Sequence, residues 1–484
     1  MKTSEWKPAL LIWFLPVLAP FLLILFSYFF DIWSWGLMDD HAILDCGTNT
    51  LTRWHQYFPA LIRWGIFRPI FALHSAIFYS LFSSSAKGFY IFKLFEVFFL
   101  LVIWGAAGYR ITHRKIALWL IPAITLSFHY FYDMFFYLSS HEFLGLWGVG
   151  LAVHCFISAW QQMVLRKSNL KKTHAFFVMG ILCLLLAFGS KETFVSCGIA
   201  MGASLFLISI FNPDKRLKKY LLLYGFGTMA LSVIYALALK TFIQSAYTSH
   251  YQLGNLTYLC NSFLWWFKKD FLNHVPWLVF LAWAWKNQMK PISDNDGDHA
   301  RGLFVWGVLV SIFLYLGFLA ILLPWNTLSY YASPLGLFFA FIIGIGVVRI
   351  VDTWSISRQS MAVIFALILN LLVCCYALGR ERAYNMDTYN LMQWIKVHHE
   401  QLISTDKNSL VATNAMEAGG AIPTYLKHQG IVIPVFSYEA VPLPGSSGIF
   451  YLYSTHFGAI SSDYFKGYQM EFISKSWILY KKRS

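Results

Sequence analysis

The acidic residues Asp39 and Asp40 stand side by side in the first polar segment of the chain, "GLMDDHAILD", where they are followed by His41 and then by Asp45. A carboxylate can remove a proton from a hydroxyl group as a general base, and carboxylate oxygens are ligands for divalent cations. Neighbouring acids are also common in solvated turns and at helix N-caps. The residue types alone therefore leave both interpretations open.

Four other short polar segments interrupt long apolar stretches. Two of these segments contain arginine or lysine, and the two side chains bind a phosphate differently. An arginine can form two parallel hydrogen bonds with it, whereas a lysine acts as a point charge. Structural roles are also open to them: Lys191 and Glu192 could form an interfacial ion pair, and a glutamate is favoured at the start of a helix by the helix dipole. The residues are Arg63 and Arg68 in "RWGIFRPIF", His141 and Glu142 in "SSHEF", Lys191 and Glu192 in "GSKETF", and Asn326, Tyr330 and Tyr331 in "NTLSYYASP".

The composition indicates which kind of element positions these residues. Of the 484 residues, 58% are apolar and 12% are charged, and the mean hydropathy is +0.55. One soluble core cannot bury this much apolar surface, so the chain is predicted to be a polytopic α-helical membrane protein. The net charge of +14 comes largely from basic clusters in short connections between apolar stretches, as in cytoplasmic loops, and we expect no nucleic-acid partner.

With a cytoplasmic N-terminus, alternation of the apolar stretches places the basic connections on the inner side and requires about eleven transmembrane helices. Residues 68–82 cannot span the bilayer without inverting all later loops, so they are predicted as an interfacial helix within a first outer loop at about residues 31–87. The polar residues named above then share the outer side. The expected spans are 8–30, 88–109, 116–136, 143–163, 174–189, 194–212, 220–240, 275–288, 302–323, 332–348 and 360–378.

The apolar density falls after about residue 378. The remaining residues alternate a helical pattern, "TYNLMQWIKVHHEQLI", with short stretches rich in β-branched and aromatic residues, such as "SLVAT" and "GIFYLY". The sequence therefore predicts a transmembrane domain over residues 1–378 and a small extracytoplasmic α/β domain over residues 379–484.

In their order and in their common location on the outer side of the membrane, the polar motifs resemble those of the GT-C superfamily of membrane glycosyltransferases, above all its O-mannosyltransferase-like members. The matching segments are "DDHAI", "RWGIFRPIF", "SSHEF" and "GSKETF", and the resemblance covers about residues 8–350. The late loop keeps Tyr330, Tyr331 and Pro334 of the family's pattern but shows no arginine. The tetratricopeptide tail of some members is replaced by the predicted α/β domain.

The resemblance implies a GT-C-like fold and the transfer of a monosaccharide from a polyprenyl-phosphate carrier to a glycan, lipid or protein acceptor at the outer face of the bilayer, with inversion. It makes Asp40 or Asp39 the base. Glu142 would be a second carboxylate, which orients the acceptor or shares a divalent metal ion with Asp40, and the need for a metal stays open.

The resemblance also assigns the remaining polar residues. The donor phosphate would be bound by Arg68, Lys191 and Arg63. The acceptor or the shape of the site would depend on His41, His141, Glu192, Asn326, Tyr330 and Tyr331.

Two other functions remain open from the sequence. An O-antigen polymerase or ligase is also polytopic, although such enzymes rely on arginines in large late loops, whereas the acids here come early. A non-enzymatic flippase or transporter of lipid-linked sugars would carry charges in the middle of several spans. The modest length and the missing repeat tail favour the bacterial cytoplasmic membrane, with the site facing the periplasm, over the endoplasmic reticulum.

Overall fold

A computed structural model of the chain describes residues 12–36, 40, 43–52, 67–164, 170–211, 215–242, 257, 264, 333–400, 410–413, 416–431, 436–439, 450–455 and 467–482. The main helices are α1 (Leu15–Phe30), α2 (Pro69–Phe82), α3 (Ala86–Thr112), α4 (Ala117–Thr125), α5 (Glu142–Val164), α6 (Leu170–Ser190), α7 (Val195–Phe211), α8 (Lys215–Phe242), α9 (Ser333–Asp352), α10 (Ile356–Val397) and α11 (Met416–Lys427). The strands are β1 (Leu410–Thr413), β2 (Phe436–Glu439), β3 (Phe450–Ser454), β4 (Tyr468–Ile473) and β5 (Trp477–Lys482).

The helices confirm the predicted helical membrane protein. Within the described ranges, five helices are long and apolar enough to cross a bilayer, namely α3, α5, α6, α8 and α10, and four shorter apolar helices accompany them. Large apolar side chains such as Phe226 and Phe365 are exposed on helix surfaces, where lipid rather than water suits them. The chain is therefore an integral membrane protein. The predicted spans 275–288 and 302–323 lie outside the described residues.

The predicted span 116–136 is wrong in its extent. Helix α4 ends at Thr125, three residues after Pro122, and the chain continues through a 3-10 turn and a single helical turn to Phe136. Proline has no amide hydrogen and its ring clashes with the carbonyl four residues earlier, which weakens the helix at this point. The aromatic residues after the break are fully buried rather than facing lipid: Phe128, Tyr130, Phe131, Tyr132 and Phe135.

Glycine allows α5 and α6 to pack with their backbones in contact. A Cβ atom on Gly148 would lie 2.6 Å from the carbonyl oxygen of Cys183 and 2.8 Å from the amide nitrogen of Ala187. Small residues at helix crossings are typical of membrane bundles, where close van der Waals contact between helices supplies much of the attraction. This crossing fixes the N-terminus of α5 beside the C-terminus of α6, and these two ends carry Glu142 and Lys191.

Asn370 joins α10 to α1 at a proline. Pro20 has no amide hydrogen to donate to the carbonyl oxygen of Pro16, which would be its partner in a regular helix. The side-chain nitrogen of Asn370 donates to that oxygen at 2.9 Å and to the carbonyl oxygen of Ala123 at 3.0 Å. Unsatisfied backbone groups are costly inside a bilayer, so this contact stabilises the α1–α10 pairing.

An ion pair joins two of the predicted inner connections. Arg114, between α3 and α4, donates to the carboxylate of Asp352, at the end of α9, at 2.9 Å. The predicted topology places residues 110–115 and 349–358 on the same side of the membrane. The contact accords with that placement.

Helix α10 continues without a break through residue 378, the predicted domain boundary. Its 42 residues correspond to about 63 Å of helix, roughly twice the ~30 Å hydrocarbon thickness of a bilayer. One part of α10 therefore lies beyond the membrane and leads into the C-terminal strands.

The C-terminal strands form one sheet with the order β2-β1-β3-β5-β4. Strand β1 is parallel to β2 and β3, whereas β5 is antiparallel to both β3 and β4. Apolar side chains of α11 and the sheet, including Ile422, Leu426, Leu452 and Leu479, belong to the same contiguous core as the membrane helices. The predicted α/β portion is thus present and packs directly on the helical bundle.

Candidate active site

Asp40 is buried between the segment that follows α1 and the segment that precedes α5, and it is 2% exposed. One carboxylate oxygen accepts the N–H of Gly36 and the other accepts the N–H of Ser139, both at 3.1 Å. A Cβ atom on Gly36 would lie 2.9 Å from the Asp40 carboxylate, so glycine permits this close approach. Two N–H donors orient the carboxylate and stabilise its negative charge.

Lys93 of α3 binds the segment 137–141, which precedes α5. This buried lysine donates to the carbonyl oxygens of Leu138 at 3.3 Å and of Ser140 at 3.1 Å. Its Nζ atom lies 3.9 Å from the centroid of the Phe143 ring, within the range of a cation–π interaction. Lys93 therefore fixes the segment that donates to Asp40.

Sequence reasoning missed Lys93, although a signal for it exists. A lysine inside the apolar run "FYIFKLFEVFFLL" is costly and rare in a membrane helix, and such residues usually have a function. Glu96 follows three residues later in the same helix and forms a hydrogen bond with His74 of α2 at 2.8 Å.

Glu142 and Lys191 form a buried ion pair between the start of α5 and the end of α6. Glu142 is fully buried and Lys191 is 4% exposed. The hydroxyl of Ser140 donates to the second oxygen of Glu142 at 2.9 Å. Burial lowers the pKa of Lys191, and the negative charge of Glu142 limits that shift. The pair keeps a cation in a place that water barely reaches.

Arg68 and Glu192 form a second, bidentate ion pair beside the first. The guanidinium donates to the two carboxylate oxygens at 2.8 and 2.6 Å. Pro69 at the first position of α2 begins the helix directly after Arg68, and the carboxylate of Glu192 is favoured near that positive helix end. Burial would raise the pKa of Glu192, but Arg68 overrides this effect and lowers it to about 2. Lys191 and Glu192 thus each have a partner on another element.

His141 lies against α2 rather than in contact with an acid. Its ring stacks on that of Phe71 with the centroids 3.5 Å apart, and its buried Nδ1 atom has no hydrogen-bond partner among the described residues. Burial, and then the positive charges of Arg68 and Lys191, lower the pKa of His141 well below its ordinary value. The imidazole is therefore neutral at pH 7.

The other predicted site residues, Asp39, His41, Arg63, Asn326, Tyr330 and Tyr331, lie outside the described residues. Among the residues that the structure does describe, no group of three or more His, Cys, Asp or Glu side chains could hold a metal ion. The two metal candidates, Asp40 and Glu142, accept hydrogen bonds from protein donors.

These contacts combine into one site with a definite charge pattern. Ser139 and Ser140 connect Asp40 to Glu142, which binds Lys191, and the charge of Arg68 acts on Lys191. A carboxylate that can accept a proton therefore lies near two cations that can bind an anion. Such a set suits a displacement in which a hydroxyl group attacks and an anionic group departs.

No protein-family model matches the sequence, and no curated protein matches it at a significant level. The structure is similar to the crystal structure of ArnT from Cupriavidus metallidurans bound to undecaprenyl phosphate, with a TM-score of 0.50 and 11% sequence identity over 97% of both chains. At this identity the likeness concerns the fold, and ArnT has the GT-C fold. The chain therefore has the GT-C-like fold that its motifs predict, completed by a small α/β portion.

Proposed function

We propose that this protein is an integral-membrane glycosyltransferase that moves a monosaccharide from a polyprenyl-phosphate carrier to a glycan, lipid or protein acceptor at the extracytoplasmic face, with inversion. The observation that carries the proposal is the convergence of Asp40 with the Glu142–Lys191 and Arg68–Glu192 pairs at the ends of apolar helices. The fold supports a lipid-linked donor, because the similar ArnT structure holds undecaprenyl phosphate.

Asp40 acts as the base in this proposal. The oxygen of the acceptor hydroxyl group forms a bond to the anomeric carbon, and its proton passes to Asp40. Each Asp40 oxygen already accepts one N–H bond, and a carboxylate oxygen has a second lone pair for the proton. Asp39 stays the alternative base.

Lys191 and Arg68 stabilise the leaving group. The bond between the anomeric carbon and the phosphate oxygen breaks, its electron pair stays on that oxygen, and polyprenyl phosphate departs as an anion. Glu142 and Glu192 neutralise the two cations until the donor binds, and the phosphate then shares their N–H donors. Arg63 is proposed as a further phosphate contact, and Glu142 also as a group that orients the acceptor.

We further propose that the protein lies in the bacterial cytoplasmic membrane with the site facing the periplasm. The carrier's chain stays in the bilayer, which explains why the site lies at the ends of membrane helices rather than in a soluble cleft. Activity measured with and without a chelator tests whether transfer needs a divalent metal ion held by Asp40 and Glu142.

Sugar transfer in reconstituted membranes tests the function. Proteoliposomes that hold wild type, Asp40→Asn or Lys191→Ala receive a radiolabelled polyprenyl-phosphate sugar together with a cell-envelope acceptor extract. We expect each substitution to lower the rate by at least a hundredfold, as losses of a base or of an anion-stabilising group do. Asp352→Asn, which breaks the exposed pair with Arg114, is the matched control and should transfer at the wild-type rate.

Full product formation by both variants would overturn the assigned roles. Movement of the labelled lipid across the bilayer by wild type, with no sugar transferred to any acceptor, would instead identify a flippase.

A further inference from the structure

Helix α11 of the C-terminal part contacts the acidic segment on both sides of Asp40. The hydroxyl of Tyr425 donates to the carbonyl oxygen of Gly36 at 2.6 Å, and the side chain is 5% exposed. The Tyr425 ring also stacks on that of Trp35, with the centroids 6.0 Å apart. The neighbouring Thr424 donates to the carboxylate of Asp45 at 3.3 Å. The C-terminal part therefore touches the segment before and after Asp40.

Gly36 is also the residue whose N–H binds Asp40. Its N–H and its carbonyl group belong to the two peptide units that meet at the Gly36 Cα atom. Glycine rotates freely about this atom, so the direction of its N–H depends on what holds the neighbouring units. Before Gly36 the chain is held at Ser34, whose N–H donates to the side-chain oxygen of Asn385 of α10 at 2.8 Å. The peptide unit after Gly36 is held by Tyr425.

The Tyr425 hydroxyl stays a donor over the physiological pH range. Burial, and then the negative charge of Asp40, raise the pKa of Tyr425 well above its ordinary value. The hydroxyl therefore keeps its proton and can hold the Gly36 carbonyl at all times.

We propose that Tyr425 is a positioning residue, which orients the Asp40 carboxylate by fixing Gly36. Through this contact the C-terminal part completes a site whose described charged groups, Asp40, Arg68, Glu142, Lys191 and Glu192, come from the membrane part. The catalytic half of the inference rests on the proposed function, because it requires Asp40 to act in the reaction. The coupling between α11 and Gly36 is a property of the fold and can be tested without any activity.

Tyr425→Phe tests both halves, because it removes the hydroxyl and keeps the ring. In the full-length protein we expect faster hydrogen–deuterium exchange across residues 33–36. We also expect kcat per folded molecule to fall about five- to tenfold, the factor for one hydrogen bond of ordinary net strength, with an unchanged KM for the polyprenyl-phosphate sugar. Tyr389→Phe, a partly buried tyrosine of α10, is the matched control and should alter neither quantity.

The outcomes separate the two proposals. If exchange and kcat of Tyr425→Phe both equal those of wild type, the inference is overturned. It is also overturned if exchange rises or thermal stability falls while kcat per folded molecule stays unchanged, because Tyr425 then has a structural role alone. If wild type transfers no sugar, the proposed function fails, and the exchange rates still decide whether α11 holds Gly36.

Discussion

The buried pair of Glu142 and Lys191 predicts a non-additive response to mutation. Removal of one partner leaves an uncompensated charge in an apolar site, which typically costs about 3–5 kcal/mol, whereas removal of both is often nearly neutral. We expect Glu142→Gln and Lys191→Met each to destabilise the protein more than the double variant does. Thermal unfolding in detergent measures this.

The exposed pair of Arg114 and Asp352 is the comparison for these single and double variants. Asp352→Asn should change stability by less than about 1 kcal/mol, because solvent weakens exposed ion pairs. Strictly additive effects of Glu142→Gln and Lys191→Met would contradict the buried pairing.

His141 predicts how stability depends on pH. Its pKa is lowered in the folded protein, so the folded state keeps the imidazole neutral below pH 6.5, whereas the unfolded chain binds a proton there. Stability therefore falls as the pH drops below 6.5, by up to about 1.4 kcal/mol per pH unit for this one group, and is unaffected by it at higher pH.

His141→Gln should weaken that loss between pH 6.5 and pH 5, as followed by unfolding curves across this range. The quantity to compare is the change in the free energy of unfolding per pH unit and not its absolute value, because the variant also loses the stacking on Phe71. An identical slope in variant and wild type would show that His141 already binds a proton in the folded state.

At the scale of helices, the crossing of α5 and α6 depends on Gly148. Gly148→Ala would force a Cβ atom against backbone atoms of α6, which cannot rotate away, and overpacking of this kind costs about 1–3 kcal/mol. Because this crossing aligns Glu142 with Lys191, the variant should also lose sugar transfer. Unfolding temperature and transfer rate measured on the same preparation check both effects.

Gly227 of α8 provides a matched substitution. Among the described residues, a Cβ atom there would meet no other atom within 4 Å, so Gly227→Ala should be neutral or stabilising by up to about 1 kcal/mol, since alanine favours helices. Equal destabilisation by Gly148→Ala and Gly227→Ala would argue against the tight crossing.

At the scale of the whole molecule, the predicted orientation can be tested by cysteine labelling. Ser84, between α2 and α3, is exposed and predicted to be outside, whereas Lys115, between α3 and α4, is exposed and predicted to be inside. The predicted topology also places Cys260 outside, so it is first replaced by serine. In this background, a membrane-impermeant maleimide added to intact bacteria should label Ser84→Cys. Lys115→Cys should react only after the membrane is opened.

Labelling of the Cys260→Ser protein without a new cysteine shows how much the remaining thiols react with the maleimide. Labelling of Lys115→Cys in intact cells, with Ser84→Cys protected, would invert the orientation and place the site in the cytoplasm.

Much of the architecture could be predicted because membrane helices need long apolar runs, which a linear sequence displays directly. The predicted span 88–109, which lies within the observed helix α3, and the drop in apolar density after about residue 378 illustrate this. The run over 116–136 misled the prediction, because apolar composition does not distinguish a span from a buried aromatic segment. The effect of Pro122 within that run was not recognised.

The apolar composition was enough to establish the membrane character, and the GT-C-like fold was implied by the resemblance of the polar motifs to that superfamily. Which side chains meet became visible only in the folded protein. Arg68 pairs with Glu192, and Lys191 pairs with Glu142. Tyr425 reaches Gly36 across 389 positions. Such contacts depend on how helices cross, and residue types and spacing along one chain do not fix those crossings.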